Sequence, residues 1–444
     1  MPTLGVFRQI FRTANPLMRR SIFHCENGYF PQIMAKRTFL NIERAPDEKV
    51  RTMTDVRQRI MEKLGLEMDY SPLPKPREHL TKYEPKLEDL PPRTMADSFT
   101  TAIIPLSKDA SLKDKYVTFL GHVRLGRLME DMDLFAVWVC HKHLHIENFD
   151  PNIPLPYTFV TALVDNVDFT DYIPRQNQDI RLSGHVSWVG RSSMEIVVWL
   201  EQEQSGQWEK ITRAMFVMVA RNATNTKAAP VNPLKPSNDE EKQIFLSGEE
   251  RKNRRKKNVS EALTKVEPND HEQKIIHDLF IQSIKEDHIS LNKRVLPRNA
   301  RWMEDGRLSN VIFSHPEHRN AHNKVFGGFL MRNALEVSWA CAYMFCRHRP
   351  KLEHICDISF QKPVEVSSFI QMTAHVVYTE LNYIQLITVA DIFDPSSGEQ
   401  FTSNTFYYTF SDYEPVAKII PRTYHEAMWY LEGRRKLFSS LGLA

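Results

Sequence analysis

Two carboxylates and one glycine pair carry the residue types and spacing that acid–base chemistry needs. Asp133 is the only charge from Met132 to Cys140, and Glu336 is the only charge from Ala334 to Cys346. An ionised carboxylate in apolar surroundings is costly, so it has a partner, a raised pKa or a chemical role. Asp133 lies seven residues after Gly126 and Glu336 eight after Gly328, so each projects one to two turns in from a glycine start. A helix-edge position or a structural ion pair is the other reading of either acid. Gly327-Gly328 is the only adjacent pair among fifteen glycines, and Asn323 stands just before it. Glycines ahead of a long helix admit another backbone or a substrate closely and leave N–H groups pointing outward. Together with the positive potential of a helix N-terminus, those donors suit a developing oxyanion. A tight loop-to-helix turn would use the same glycines.

The elements that must position these groups recur in one order. Phe329 to Cys346 is apolar nearly all round, which marks a helix enclosed by its domain. Leu125 to Cys140 has the same helical pattern. Behind the first helix, strands are predicted at Thr158–Phe169, Asp179–Val189, Ser193–Glu203 and Lys210–Ala220. Behind the second they are predicted at His354–Phe360, Ser368–Thr379, Tyr383–Asp394 and Thr402–Phe410. Phe169 precedes His185 by sixteen residues and Phe360 precedes His375 by fifteen, and His-Val-Ser-Trp188 resembles His-Val-Val-Tyr378. Short connections at Ser205-Gly206 and at Asp394 to Gly398 require antiparallel hairpins. The fold class is α+β: a tandem repeat, each copy a long central helix wrapped by an antiparallel sheet.

At 444 residues the chain exceeds one core. Six segments are expected: a leader over 1–40, a lead-in over 41–95, a first repeat over 96–222, a charged linker with helices over 223–299, a second repeat over 300–414 and a tail over 415–444. The leader holds six Lys or Arg against a single acid, Glu26. Arg8, Arg12 and Arg19 share one helical face, which reads as a mitochondrial transit peptide. Pro16 would interrupt that helix, so a disordered basic tail is the alternative. A net charge of +3 nominates no nucleic-acid partner, and five cysteines without a C-x-x-C pair indicate neither a disulfide framework nor a zinc ribbon. No run is long enough to span a membrane. The alternating His141, His143 and His145, and the set His315, His318 and His322, lack the ligand pattern of a metal site. Gly121 to Gly126 has phosphate-loop spacing, but Arg127-Leu128 stands where Lys and Ser or Thr belong. No G-x-S-x-G supplies a serine nucleophile. The basic run Arg251 to Lys257 reads as a solvated helix face rather than a phosphate site.

At Asn323-Lys-Val-Phe-Gly-Gly-Phe-Leu-Met331, with the wrapped helix and sheet behind it, the sequence resembles the hotdog acyl-CoA thioesterases. The duplication, basic leader and charged linker look like the mitochondrial acyl-CoA thioesterase 9 type, over about 96–414. The resemblance implies hydrolysis of acyl-CoA to fatty acid and CoA, without a cofactor, at a site shared by two hotdog units, one giving an Asn and the other an acid. On that pattern Asp133 is the base, or a nucleophile, Asn323 orients water, Gly327 and Gly328 hold the oxyanion and Glu336 is a reserve acid. The second repeat departs, with Leu335 at the seventh helical position and the acid at Glu336. The first departs too, with no Asn from Lys113 to Gly126. The resemblance further implies an acyl-CoA partner, a matrix or inner-membrane-associated location and a trimer of double-hotdog chains. A non-catalytic acyl-CoA-binding protein and an enoyl-thioester hydratase are the alternatives, although a hydratase needs a His/Asp pair that the sequence does not display.

Overall fold

The computed structural model describes residues 51–66, 76–165, 167–169, 173–204, 206–284, 294–320 and 322–443. The leader expected over 1–40 lies outside the described residues. In chain order, β1 (Arg51–Thr52) and α1 (Met53–Leu64) are followed by α2 (Met95–Ser98), β2 (Thr100–Ile104), α3 (Ala110–Tyr116) and the long α4 (Leu125–His143). Next come β3 (Tyr157–Val164), β4 (Val167–Asp168), β5 (Ile180–Val189), β6 (Ser193–Gln204) and β7 (Gln207–Asn222). The helices α5 (Asp239–Ser260) and α6 (Asp270–Gln282) lead to β8 (Ala300–Trp302), β9 (Arg307–Phe313) and α7 (Gly327–Cys346). The chain closes with β10 (Lys351–Ile355), β11 (Ile358–Ser359), β12 (Phe369–Glu380), β13 (Tyr383–Phe393), β14 (Gln400–Ser411), β15 (Lys418–Ile420) and α8 (Tyr424–Ser440). Local chemistry sets many boundaries. Thr52 and Asp55 form a reciprocal capping box that starts α1, and Gly65 ends it in the left-handed region at φ 67°.

Two sheets, antiparallel except where β1 pairs parallel with β2, wrap α4 and α7. The first runs β1-β2-β5-β6-β7-β3-β11 and the second β4-β10-β14-β13-β12-β9. The central order β2-β5-β6-β7-β3 matches β9-β12-β13-β14-β10, strand for strand. Irregularities recur at matching places: Val186/Trp188 and Val376/Tyr378, Leu200/Glu201 and Ala390/Asp391, Thr161/Leu163 and Leu352/His354. The helix α4 is deeply enclosed, with Asp131 to His141 buried without a break, while α7 buries most of its length and exposes Tyr343 and Met344 in its last turn. Phe135, Phe216, Phe406, Tyr408 and Phe410 are fully buried between helix and sheet.

Each unit lends its neighbour a strand. The single strand predicted at Thr158–Phe169 is instead two, because β3 stays in the first sheet while β4 crosses to pair with β10. The strand predicted at His354–Phe360 likewise divides, and β11 crosses back to pair with β3. The exchange is reciprocal: Phe169 N–H donates to Glu353 O at 2.9 Å and Phe360 N–H to Ala162 O at 2.9 Å. One apolar run cannot show which sheet its halves join.

Segments expected outside the repeats also pack on the sheets. From the linker, α5 sets Gly248 on Trp188, where an added Cβ would sit 2.7 Å from its side chain. From the tail, α8 sets Gly433 at the matching place, 2.7 Å from Val377 and 3.2 Å from Tyr378. The basic run on α5 is not simply a solvated face. Arg251 ion-pairs with the fully buried Glu195, and Arg255 lies 3.5 Å from the buried Asp165. A carboxylate under a sheet needs such a partner. The strands β2 and β9, which precede each long helix, were not expected either.

Candidate functional site

Glycine decides how α4 and α7 meet. A Cβ on Gly328 would lie 3.0 Å from Glu130 Cα and 3.1 Å from Asp133 Oδ2, and one on Gly126 would lie 3.1 Å from Arg332 O. Each helix therefore lays its N-terminal glycine on the backbone of the other. The close approach lets Asp133 of α4 accept a hydrogen bond from Gly328 N–H, in the first turn of α7, at 2.8 Å. Its other oxygen accepts from Thr161 Oγ1 on β3 at 2.5 Å. Asp133 is 2% exposed. Burial pushes its carboxyl up to about 6, while the bonds from Thr161 and Gly328 hold it lower than burial alone would and nearby Glu130 adds to the rise. A carboxylate so placed is ionised near neutrality yet basic enough to take a proton.

A cleft of about 860 Å³, whose wall does not include Asp133 itself, reaches its bonded partner Thr161 and Gly327, together with Val137, Asn320, Phe326 and Phe360. Arg77, Arg221 and Lys362 place cations on its border, where Lys324 is ion-paired with Glu365 and Glu78 adds an acid. A second small cavity of about 30 Å³ touches Asp133, Gly328 and His318. Among the described residues no hydrogen bond occupies the N–H of Gly327, whereas that of Gly328 is committed to Asp133.

Asn323 is not placed as expected. It sits in the left-handed region at φ 57°, where it turns the chain toward α7, and it walls neither cavity near Asp133. Asn320 borders the cleft instead. Its Oδ1 accepts from the N–H groups of His322 at 2.9 Å and Lys324 at 3.1 Å, which leaves the two N–H donors of Nδ2 for other partners. Aligning the repeats on Gly126 and Gly328 would have revealed this. Gly121 (φ 75°) then stands opposite Asn323, and both residue types tolerate a left-handed turn. Thr161 was missed because only tertiary contact brings β3 to α4. Glu336 does not join Asp133. It accepts from Arg124 at 2.5 Å beside a different cavity. Of the five residues singled out, Asp133, Gly327 and Gly328 come together, while Asn323 and Glu336 stand aside.

The histidines fall into structural roles. His143 Nε2 bonds Asn232 O at 2.9 Å, His322 Nε2 bonds Thr158 Oγ1 at 2.6 Å and His318 packs on the Phe329 ring. Among the described residues no group of three His, Cys, Asp or Glu side chains is arranged to hold a metal, and no helix is long and apolar enough to cross a membrane.

A long helix wrapped by an antiparallel sheet, built twice, with an acid of one helix on the glycine start of the other, is the architecture of a hotdog-fold protein. The chain is 42% identical over 362 residues to acyl-coenzyme A thioesterase 10, mitochondrial, of Mus musculus, spanning 81% of this chain and 82% of that one. It is 39% identical over 394 residues to acyl-coenzyme A thioesterase 9, mitochondrial, of Homo sapiens, spanning 88% and 89%. The chain belongs to the acyl-CoA thioesterase family that these proteins represent. No protein-family model matches it. Similar solved structures include an acyl-CoA hydrolase of Staphylococcus aureus in complex with butyryl coenzyme A, coenzyme A and coenzyme A disulfide. That match is 19% identical and covers 32% of this chain and 91% of that one, with a TM-score of 0.30. An acyl-ACP thioesterase of Bacteroides thetaiotaomicron is 11% identical over 72% of this chain and all of that one, with a TM-score of 0.40.

Proposed function

We propose that this chain hydrolyses acyl-CoA to free fatty acid and CoA at one composite site between its two repeats, in the mitochondrion, in the matrix or associated with the inner membrane. The observation that carries the mechanism is the contact between Asp133 of one repeat and Gly328 N–H of the other, at 2.8 Å. In the reaction Asp133 takes a proton from water as the water oxygen attacks the thioester carbonyl carbon. Asn320 orients that water, and Gly327 N–H, at the positive end of α7, holds the oxyanion. Collapse breaks the C–S bond, and the CoA thiolate leaves with the proton returned from Asp133. The cations on the cleft's border suit the phosphates of CoA. Family membership supports the substrate class, and the mitochondrial names of the mouse and human relatives support the location. The pairing of two hotdog units in one chain stands in for a hotdog dimer, and we propose further assembly into a trimer.

The deciding experiment follows free thiol release from a panel running from acetyl-CoA to long-chain acyl-CoA. Asp133→Asn is expected to lower kcat by roughly 10²–10⁴, the contribution of a positioned general base. Full activity in that variant would remove Asp133 from the mechanism. Water addition to an enoyl-CoA, or binding without turnover, would replace the hydrolase reading altogether.

A further inference from the structure

The cavity that holds Glu336 is the symmetry mate of the Asp133 site. It measures about 450 Å³. Its loop copies the other loop bond for bond. Thr118 N–H donates to His122 O at 2.7 Å as Asn320 N–H does to Lys324 O at 2.7 Å, and Arg124 N–H to Tyr116 O at 2.8 Å as Phe326 N–H does to His318 O at 3.1 Å. Taken with the matching glycines and β-bulges, this register sets Thr118 opposite Asn320, Leu335 opposite Asp133 and Leu352 opposite Thr161. The carboxylate of Asp133 and the hydroxyl of Thr161 are thus both replaced by leucine, and the Asn320 amide by the hydroxyl of Thr118, so this copy has no base at the matching position. The space remains. It is walled by Leu335, Leu352, Trp339, Phe169 and Phe410, and at its mouth Phe119 is 89% exposed and Ile173 43%.

Charge at the mouth is also specific. The exposed Arg349 guanidinium meets the His122 ring, and among the described residues no carboxylate pairs with it. Burial and the neighbouring Arg349 both lower the His122 pKa, so this ring is neutral near neutrality and brings no counter-charge. Arg124 is already neutralised by Glu336. An apolar chamber with a cation at its entrance that no described carboxylate pairs is complementary to an amphipath of the same shape class as the substrate next door.

We infer that this second cavity is a non-hydrolysing binding site for an acyl chain with an anionic head, seated along Leu335, Leu352 and Trp339 with its head at Arg349. Free fatty acid and acyl-CoA share that chemistry. The ligand class rests on the hydrolase reading of the Asp133 site, whereas the existence of the site rests on the duplicated geometry.

The test counts ligands on the full chain by calorimetric titration, with S-dodecyl-CoA thioether, which cannot be hydrolysed, and with dodecanoate as separate probes. Wild type is expected to bind two equivalents of at least one probe. Arg349→Glu, an exposed position, is expected to weaken one equivalent at least tenfold without loss of thioesterase activity, and Leu352→Trp, which fills the chamber, to abolish it. An Arg349-sensitive dodecanoate site identifies fatty acid as the occupant, and sensitivity confined to the thioether identifies acyl-CoA. A single equivalent of both probes in wild type, or two equivalents indifferent to Arg349→Glu, overturns the inference. So does a loss of binding accompanied by a change in solution mass, which would assign this face to a second copy of the chain. Should Leu352→Trp fail to fold, Arg349→Glu decides alone. Asp133→Asn keeps the two readings separate: full activity in that variant sinks the hydrolytic reading, while the Arg349-sensitive equivalent must persist in it if the second site exists.

Discussion

Removing the hydroxyl of Thr161 should move the acid limb of the pH profile and do little else. In the native site this hydroxyl donates to Asp133 Oδ1 at 2.5 Å and so favours the ionised carboxylate. A hydrogen bond to a charged group contributes roughly 1.5–3 kcal/mol. At about 1.36 kcal/mol per pKa unit, its loss in Thr161→Val raises the Asp133 pKa by roughly one to two units. The native value of about 6 would then become roughly 7–8. The sign follows from the chemistry. As the proposed base, Asp133 works only when ionised, so activity falls as pH falls through its pKa, and a raised pKa moves that fall to higher pH. With a shift of about 1.5 units, the ionised fraction at about pH 6.5 drops from roughly three quarters to under a tenth, a loss of about eightfold or more, while at about pH 9 nearly all of it returns. The assay is kcat/KM for one acyl-CoA across the pH range, wild type beside Thr161→Val. An acid limb unmoved in the variant, or a loss equal at every pH, refutes the claim that Thr161 acts through the ionisation of Asp133.

Two further outcomes follow from the same geometry. Gly328→Ala places a methyl 3.0 Å from Glu130 Cα, which forces α4 and α7 apart. Thermal denaturation should show a loss of roughly 1–3 kcal/mol, with hydrolysis reduced further because the N–H to Asp133 is displaced. Asn320→Ala should lower kcat, whereas Asn323→Gly should keep it and leave stability equal or slightly higher, since glycine accepts φ 57° without strain. Steady-state kinetics and melting curves on the pair decide whether the amide that matters lies at 320 or 323.

The sequence by itself determined the materials of this protein. The apolar surround of Asp133 and Glu336 marked two enclosed helices, period-two patterning marked most of the strands, and the glycine pair marked a close approach at the start of α7. Each of these signals is local, because a helix stripe, a turn or an unaccompanied charge is written in neighbouring residues. Only the tertiary structure decided the partners. Nothing near Thr161 in sequence tells it to bond Asp133, and nothing in the run from Thr158 to Phe169 tells its second half to join the other sheet. Glu336 looked equivalent to Asp133 along its helix, yet a slip of one position turns a side chain by about 100°. That rotation aims it at Arg124 in the second cavity, while Leu335 takes the place of the acid. The chain thus encoded two copies of a site in outline, and packing selected the one copy in which carboxylate, hydroxyl and helix start converge.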